Sequence, residues 1–360
     1  MASTTPSMTV VSYNTTTWQS NSTQSTYTRN PNEILELNLR FIPLTVVSIP
    51  ANLGIIILIL YHKTLRTQTF FLGVLSLSVF DLCFSVFALP MLLDSLITWG
   101  EWRHGYLACL IYIVILNSKI FMTAFMVGAL CIERVIVKLR LVALIGEKTA
   151  TTLSRVTIVI PWCLWLLGAV LIVLAKQGDM TKNRYIHETY CVFLVDHTFH
   201  IPFILIAYHI PLYLLVLITI TTMVIYKFWK SDWNRLSAEI VEPEVASLFM
   251  STLCVWITSF VFAIFNTPWL IWITRIVICI RRMTECPSID SYFNNYFVSL
   301  IPTAVLPFIW LITVDIRVVL SSVKNRVMTK ITSSGGQKNA LSFSSLSHKM
   351  SSSEDSAVQH

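Results

Sequence analysis

Apolar positions along this chain fall into seven long blocks, about 38–61, 69–97, 106–132, 156–175, 199–226, 246–274 and 291–314, separated by short polar stretches. Five of the blocks hold no Asp, Glu, Lys or Arg except at their edges. A hydrocarbon core of ~30 Å takes roughly 20 apolar residues in a helix, and each block meets that length. Lipid offers the backbone no hydrogen bonds, so helices can span it and an open sheet cannot. The pattern therefore predicts an all-α bundle of seven transmembrane helices. The third block is the most informative. Between Cys109 and Glu133 its only charged side chain is Lys119, and the intervening helix would rise roughly 36 Å. One helix thus carries a cysteine at one membrane face and the Glu133-Arg134 pair at the other.

Composition agrees with a membrane protein. The 360 residues are 55% hydrophobic and only 12% charged, about half the charge of an ordinary soluble domain. Mean hydropathy is +0.68. With the N-terminus outside, 16 Lys and Arg fall on the inner side and 9 on the outer, with Lys119 inside a span. That satisfies the positive-inside rule. Two glycosylation sequons, at Asn14 and Asn21, lie in the same outer tail. No basic, apolar, small-residue signal sequence opens the chain, so the first span is expected to act as its own insertion signal. The net charge of +7 is accounted for by topology and calls for no nucleic acid.

Three regions are expected. Residues 1–34 form a Ser/Thr/Asn-rich disordered and glycosylated outer tail, 35–328 the helical bundle, and 329–360 a Ser-rich inner tail. Asp315 to Lys330 reads as a short amphipathic eighth helix along the inner surface. Residues 138–155 read as a basic inner loop, and Arg275 to Asp290 as an outer loop holding Arg281 and Arg282 as well. Pro90 is expected to kink the second helix. Cys83, Cys131, Cys163 and Cys254 lie within spans and read as small apolar packing residues. Cys109, Cys191, Cys279 and Cys286 fall on the oxidising outer side. Cys279 and Cys286 are close enough to staple the last outer loop, or to remain two free thiols.

The landmarks in these blocks give the chain a clear likeness. Asn52 and Asp81 stand in the first two helices, and Trp102, Gly105 and Cys109 lead into the third. Glu133-Arg134 ends the third, and Trp162, Pro211, Pro268 and Pro307 mark helices four to seven. In this order and spacing the chain resembles the rhodopsin-like (class A) family of G-protein-coupled receptors over roughly residues 35–328, as a divergent member. The resemblance implies a Cys109–Cys191 disulfide. It also implies that Glu133 holds Arg134 at rest and that a G protein engages Arg134 in the active state. Several landmarks depart from the family pattern. Val135 follows the arginine where an aromatic is usual, and Asn266 replaces the tryptophan before Pro268, although Phe262 is kept. Trp310 stands where the last helix usually has tyrosine after Pro307, and Thr219 where the fifth helix usually offers an inward tyrosine. These positions, Phe262, Asn266, Pro268, Pro307 and Trp310, are the expected switch landmarks.

Asp81 and Lys119 are charges placed mid-membrane. Asp81 lies roughly 20 Å from the inner end of its helix and Lys119 roughly 15 Å from Cys109, so they share a depth. Intramembrane charge is costly unless paired. The expectation is an ion pair in which the Lys119 ammonium stands where the family aspartate usually holds sodium. The alternative is a lysine that snorkels or faces the ligand cavity.

By resemblance the ligand pocket lies between helices three, five, six and seven. Its candidate residues are Leu116, Asn117, His200, Trp269 and Arg275. The third helix offers no aspartate for an amine, so a monoamine ligand is not expected. Arg275, Arg281 and Arg282 could draw an anionic ligand or acidic peptide, or simply be solvated. His197, His200 and His209 lack clean metal-ligand spacing. No phosphate loop, Cys-x-x-Cys or nucleophile elbow is present. Neither enzyme activity nor cofactor nor metal is expected. The partners implied are an extracellular ligand of unknown identity, a heterotrimeric G protein, membrane lipid, and arrestin and receptor kinases at a tail containing Ser351-Ser352-Ser353-Glu354-Asp355. An atypical receptor (constitutive, decoy or non-coupling) is the runner-up. A seven-helix transporter or channel using Asp81 and Lys119 as an ion path is a third reading, set against the absence of internal repeats.

Overall fold

The computed structural model describes residues 30–98, 102–141, 144–180, 191, 205–228, 242–282 and 289–325, and all the regular structure among them is helical. α1 spans Pro31–Tyr61 and opens on a side-chain cap, the Asn30 Oδ1 accepting from the Asn32 amide at 3.1 Å. Pro31 occupies the first helical position, where no N–H is needed. A single helical turn, Lys63–Arg66, leads into α2, Thr69–Ile97. α3 is Gly105–Leu141 and α4 is Glu147–Met180. α5, Ile210–Phe228, is entered through a π-helical turn at Leu205–His209. α6 runs Glu242–Arg282. α7 comes in two pieces, Ile289–Leu300 and Pro302–Trp310, and α8 is Val314–Asn325, set at 67° to α7.

α3 is the axis of the bundle. It packs against α2, α4, α5 and α6, and 72% of its membrane window is buried, against 22% for α4. Gly73 on α2 makes one of these approaches possible: a Cβ there would stand 2.6 Å from Leu130 Cδ2 on α3. α1 closes the ring against α7, with the Phe41 and Phe297 rings edge to face at 5.5 Å.

Several expectations are corrected. The basic stretch 138–155 is mostly helix, since α3 continues to Leu141 and α4 begins at Glu147. Lys138 is only 2% exposed, its ammonium 3.9 Å from the Tyr226 ring centre. The outer stretch after Arg275 likewise stays helical to Arg282. Hydropathy marks where lipid ends, and charged residues that favour helices carry the backbone further. At Pro90 the helix answers with a π turn, Phe84–Ala88, in which the Leu89 amide bonds back to the Phe84 carbonyl. Pro90 has no N–H for the Val86 carbonyl, and a widened turn is one way to absorb that loss. Of the four cysteines expected as packing residues, Cys131 and Cys254 are buried, but Cys83 and Cys163 are exposed on the bundle surface. α8 is helical up to Asn325, the last described residue, and the expected stretch from there to Lys330 lies outside the described residues.

Candidate functional site

At the inner end of α3, Glu133 and Arg134 are both buried, at 1% and 8% exposure. A guanidinium at such a place needs its charge and its donors answered. Arg134 Nε donates to Glu133 Oε2 at 2.6 Å, and a second guanidinium nitrogen lies 2.5 Å from the same oxygen. A third nitrogen donates to Ser251 Oγ on α6 at 2.9 Å. The guanidinium carbon sits 4.2 Å from the Phe70 ring centre on α2. The Phe70 ring in turn meets the fully buried Trp310 ring of α7 edge to face, 6.1 Å apart. Four helices thus converge on one arginine, through a carboxylate, a hydroxyl and two rings.

α5 joins this cluster through a residue the sequence did not flag. Thr219 bonds to its own helix, at the Leu215 carbonyl. Two turns further on, the Tyr226 hydroxyl lies 3.0 Å from Thr252 Oγ1 on α6 and donates to the Arg134 carbonyl at 3.4 Å. Only its spacing of about two turns from Thr219, on the same face of the helix, could have pointed to it. Ser247 on α6 donates to Asp315 at the start of α8, at 2.6 Å.

In mid-membrane, the Lys119 ammonium of α3 donates to Asp81 Oδ1 of α2. It also donates to Thr123 Oγ1 at 3.3 Å, and its charge lies 5.4 Å from the Phe84 ring centre. Lys119 is 3% exposed and Asp81 1%, so the lysine does not snorkel. The other carboxylate oxygen, Asp81 Oδ2, is buried with no hydrogen-bond partner among the described residues, as are Thr258 Oγ1, Asn266 Oδ1 and Thr303 Oγ1. Asn52 donates to the Ser48 and Thr303 carbonyls at 2.9 and 3.1 Å, fastening α1 to α7. Asn266 and Phe262 on α6 are fully buried, and Asn266 donates back to the Phe262 carbonyl. Pro307 is buried in α7.

At the outer end, Cys109 and Cys191 form a disulfide with 5.6 Å between their Cα atoms. Trp102 is buried against the Tyr112 ring, and its indole N–H donates to the Gly105 carbonyl at 2.8 Å. Gly105 has φ +77°, the left-handed region where glycine carries no Cβ penalty. His104 pairs with Asp94 at 2.9 Å. Asn117 Oδ1 accepts from the Tyr208 hydroxyl at 2.8 Å, linking α3 to the entry of α5. Ser118 accepts from the Trp165 indole at 2.8 Å. Leu116 is half-buried against the core. Trp269 stacks on Trp272 and meets Tyr296 of α7 edge to face at 4.8 Å.

These outer candidates are not gathered in one place. Leu116, Asn117 and Trp269 belong to the bundle interior. Arg275 is exposed and lines two grooves, of about 480 and 460 Å³, on either side of α6. Pro268 lines the first of them. His200, Cys286, Asn14, Asn21 and the Ser-rich tail lie outside the described residues. Cys279 is disulfide-bonded. Among the described residues no group of three or more His, Cys, Asp or Glu is arranged to hold a metal.

Comparison with known proteins places this architecture. Residues 51–309 match the family model of the 7 transmembrane receptor, rhodopsin family. The N-formyl peptide receptor 2 of human, chimpanzee and gorilla each share 27% identity with the chain over 160 residues. That stretch is 43% of this chain and 44% of each relative, so the chain aligns with less than half the length of these proteins. The family is one of receptors and not of enzymes. With its landmarks on seven apolar helices and the family match running through all of them, the chain belongs to the rhodopsin family of seven-transmembrane receptors, multi-pass proteins of the plasma membrane.

Proposed function

We propose that the protein is a cell-surface receptor that transmits binding of an extracellular ligand to heterotrimeric G proteins. The observation carrying this reading is the inner contact between Arg134 of α3 and Ser251 of α6. Outward movement of α6 breaks that bond without breaking Arg134 from Glu133, and frees one face of a buried guanidinium. A G protein that binds only the opened packing draws the population toward it, and a ligand with higher affinity for the opened packing at the outer end does the same. The Asp81–Lys119 pair neutralises the bundle centre with a tethered charge in place of a mobile ion. The names of the relatives make a peptide the ligand class to screen first. Residues 1–34 would serve as outer tail, 35–328 as the signalling bundle with α8, and 329–360 as the substrate of receptor kinases and the arrestin contact.

The test is ligand-free G-protein activation in cells at matched surface expression. Loss of the basal signal in Arg134→Ala supports coupling through this arginine. A parent that activates no G protein in a full subtype panel, with or without peptides, would favour a non-coupling receptor instead.

A further inference from the structure

Arg275 stands nine residues beyond Asn266 on α6, which at 3.6 residues per turn turns its side chain half a circle away from the bundle interior. Ile264 and Ile271 share that outward face and are 67% and 53% exposed. All of them lie inside the apolar window Ser247–Ile276, so this face meets lipid. Arg275 makes no hydrogen bond or ion pair among the described residues. A cation at the outer edge of the hydrocarbon core reaches the headgroup level, where an anionic head can meet it.

The groove of about 460 Å³ between α5 and α6 ends at this arginine. Along α6 it follows Ala263, Thr267, Ile271 and Arg275, and along α5 it follows Leu212 and Val216. From Ala263 to Arg275 the rise is roughly 18 Å, a little more than half the ~30 Å hydrocarbon thickness and so the depth of one leaflet. Its bundle side is closed by the His209–Thr274 hydrogen bond at 2.9 Å. No Asp or Glu lines it. The volume is that of a small-molecule site.

We infer that this groove is a lateral binding site for a single-chain amphiphile with a carboxylate head, entering from the outer leaflet. The head would sit on the Arg275 guanidinium, whose planar fork matches a carboxylate with two hydrogen bonds. The chain would lie along Val216 and Ala263. The groove shares Thr267, Ile271 and Arg275 with its neighbour across α6, so a two-chain acidic lipid straddling α6 is the competing occupant that the experiment separates from a single chain. The site stands apart from the coupling proposal, since binding can be read without any signal.

The experiment is photolabelling of the full-length receptor in phosphatidylcholine nanodiscs. The probe is a long-chain fatty acid carrying a diazirine near its methyl end, beside a matched probe with a quaternary ammonium head. The carboxylate probe should label peptides containing Leu212–Val216 or Ala263–Arg275. Arg275→Glu should reduce that labelling by about tenfold, the loss of a charge-assisted pair, and Arg275→Lys, which keeps the charge but not the fork, should fall between parent and Arg275→Glu. Val216→Trp, which fills the groove and leaves the arginine, should also reduce it, with thermal midpoints confirming that each variant is folded. Equal labelling by the ammonium probe, or labelling indifferent to both Arg275→Glu and Val216→Trp, would mean ordinary annular lipid and overturn the site. So would displacement of the probe by a two-chain acidic phospholipid more effectively than by the unlabelled fatty acid.

Discussion

Arg134 of α3 donates to Ser251 Oγ of α6 at 2.9 Å, and this is one hydrogen bond between the inner ends of the two helices that a G-protein partner would have to separate. A bond to a charged group contributes about 1.5–3 kcal/mol, and about 1.4 kcal/mol is a tenfold change in an equilibrium. Ser251→Ala should therefore raise ligand-free G-protein activation severalfold at matched surface expression. Ser251→Thr, which keeps the hydroxyl, should remain near the parent. An Ala variant with parental basal signal would show that this bond does not bias the packing.

The buried pair in mid-membrane leads to a stability prediction. Lys119→Met strands the Asp81 carboxylate among apolar side chains, and breaking a buried pair on one side costs about 3–5 kcal/mol. Replacing both groups, as Asp81→Asn with Lys119→Met, removes the stranded charge and should recover much of that loss. Thermal midpoints in detergent should therefore rank the parent and double variant above Lys119→Met alone. A double variant at or below the single one would show that the two side chains act independently.

How much of this could be read from the chain differs by residue. The seven spans are legible because lipid enforces an apolar run of a fixed minimum length, and the shared depth of Asp81 and Lys119 follows from counting residues along two helices. The helix ends are not legible that way: hydropathy stops at Lys138 and Arg275, while the backbone stays helical to Leu141 and Arg282. The π turn before Pro90 needed the structure because proline announces a lost hydrogen bond and not how it is absorbed. Ser251, Phe70 and Tyr226 are ordinary residues in their own helices. Their meeting at Arg134 depends on how four helices cross, which no single helical pattern encodes. The missing inward tyrosine at Thr219 reads as a loss in the sequence, and in space the Tyr226 hydroxyl two turns away reaches the Arg134 carbonyl and Thr252.

The packing of α2 against α3 at Gly73 is also testable. A Cβ at Gly73 would stand 2.6 Å from Leu130 Cδ2 and 3.5 Å from Ile158 Cδ1, and Leu130 is fully buried. Gly73→Ala must push Leu130 aside, and such overpacking costs about 1–3 kcal/mol. The thermal midpoint should fall. Adding Leu130→Ala should make the Gly73→Ala change nearly neutral in that background. An equal penalty in both backgrounds would place the strain elsewhere.

Phe70 offers the sharpest test of how the inner cluster is connected. One face of its ring carries the Arg134 guanidinium at 4.2 Å, and its edge meets Trp310 at 6.1 Å. A tryptophan at the end of α7 cannot offer a tyrosine's hydroxyl, so α7 reaches the arginine through this ring. A desolvated cation–π contact contributes about 2 kcal/mol and an aromatic pair about 0.5–1.5 kcal/mol. Phe70→Leu keeps an apolar side chain but removes both contacts, and should raise basal activation and lower the thermal midpoint. Trp310→Leu removes only the second. Because the two substitutions share one contact, the double variant should be less impaired than the sum of the singles, while Phe70→Tyr should stay near the parent. Independent sites add within about 0.5 kcal/mol. Additivity inside that margin, in both basal signal and stability, would reduce Phe70 to a space filler and leave Arg134 connected to α7 by some other route.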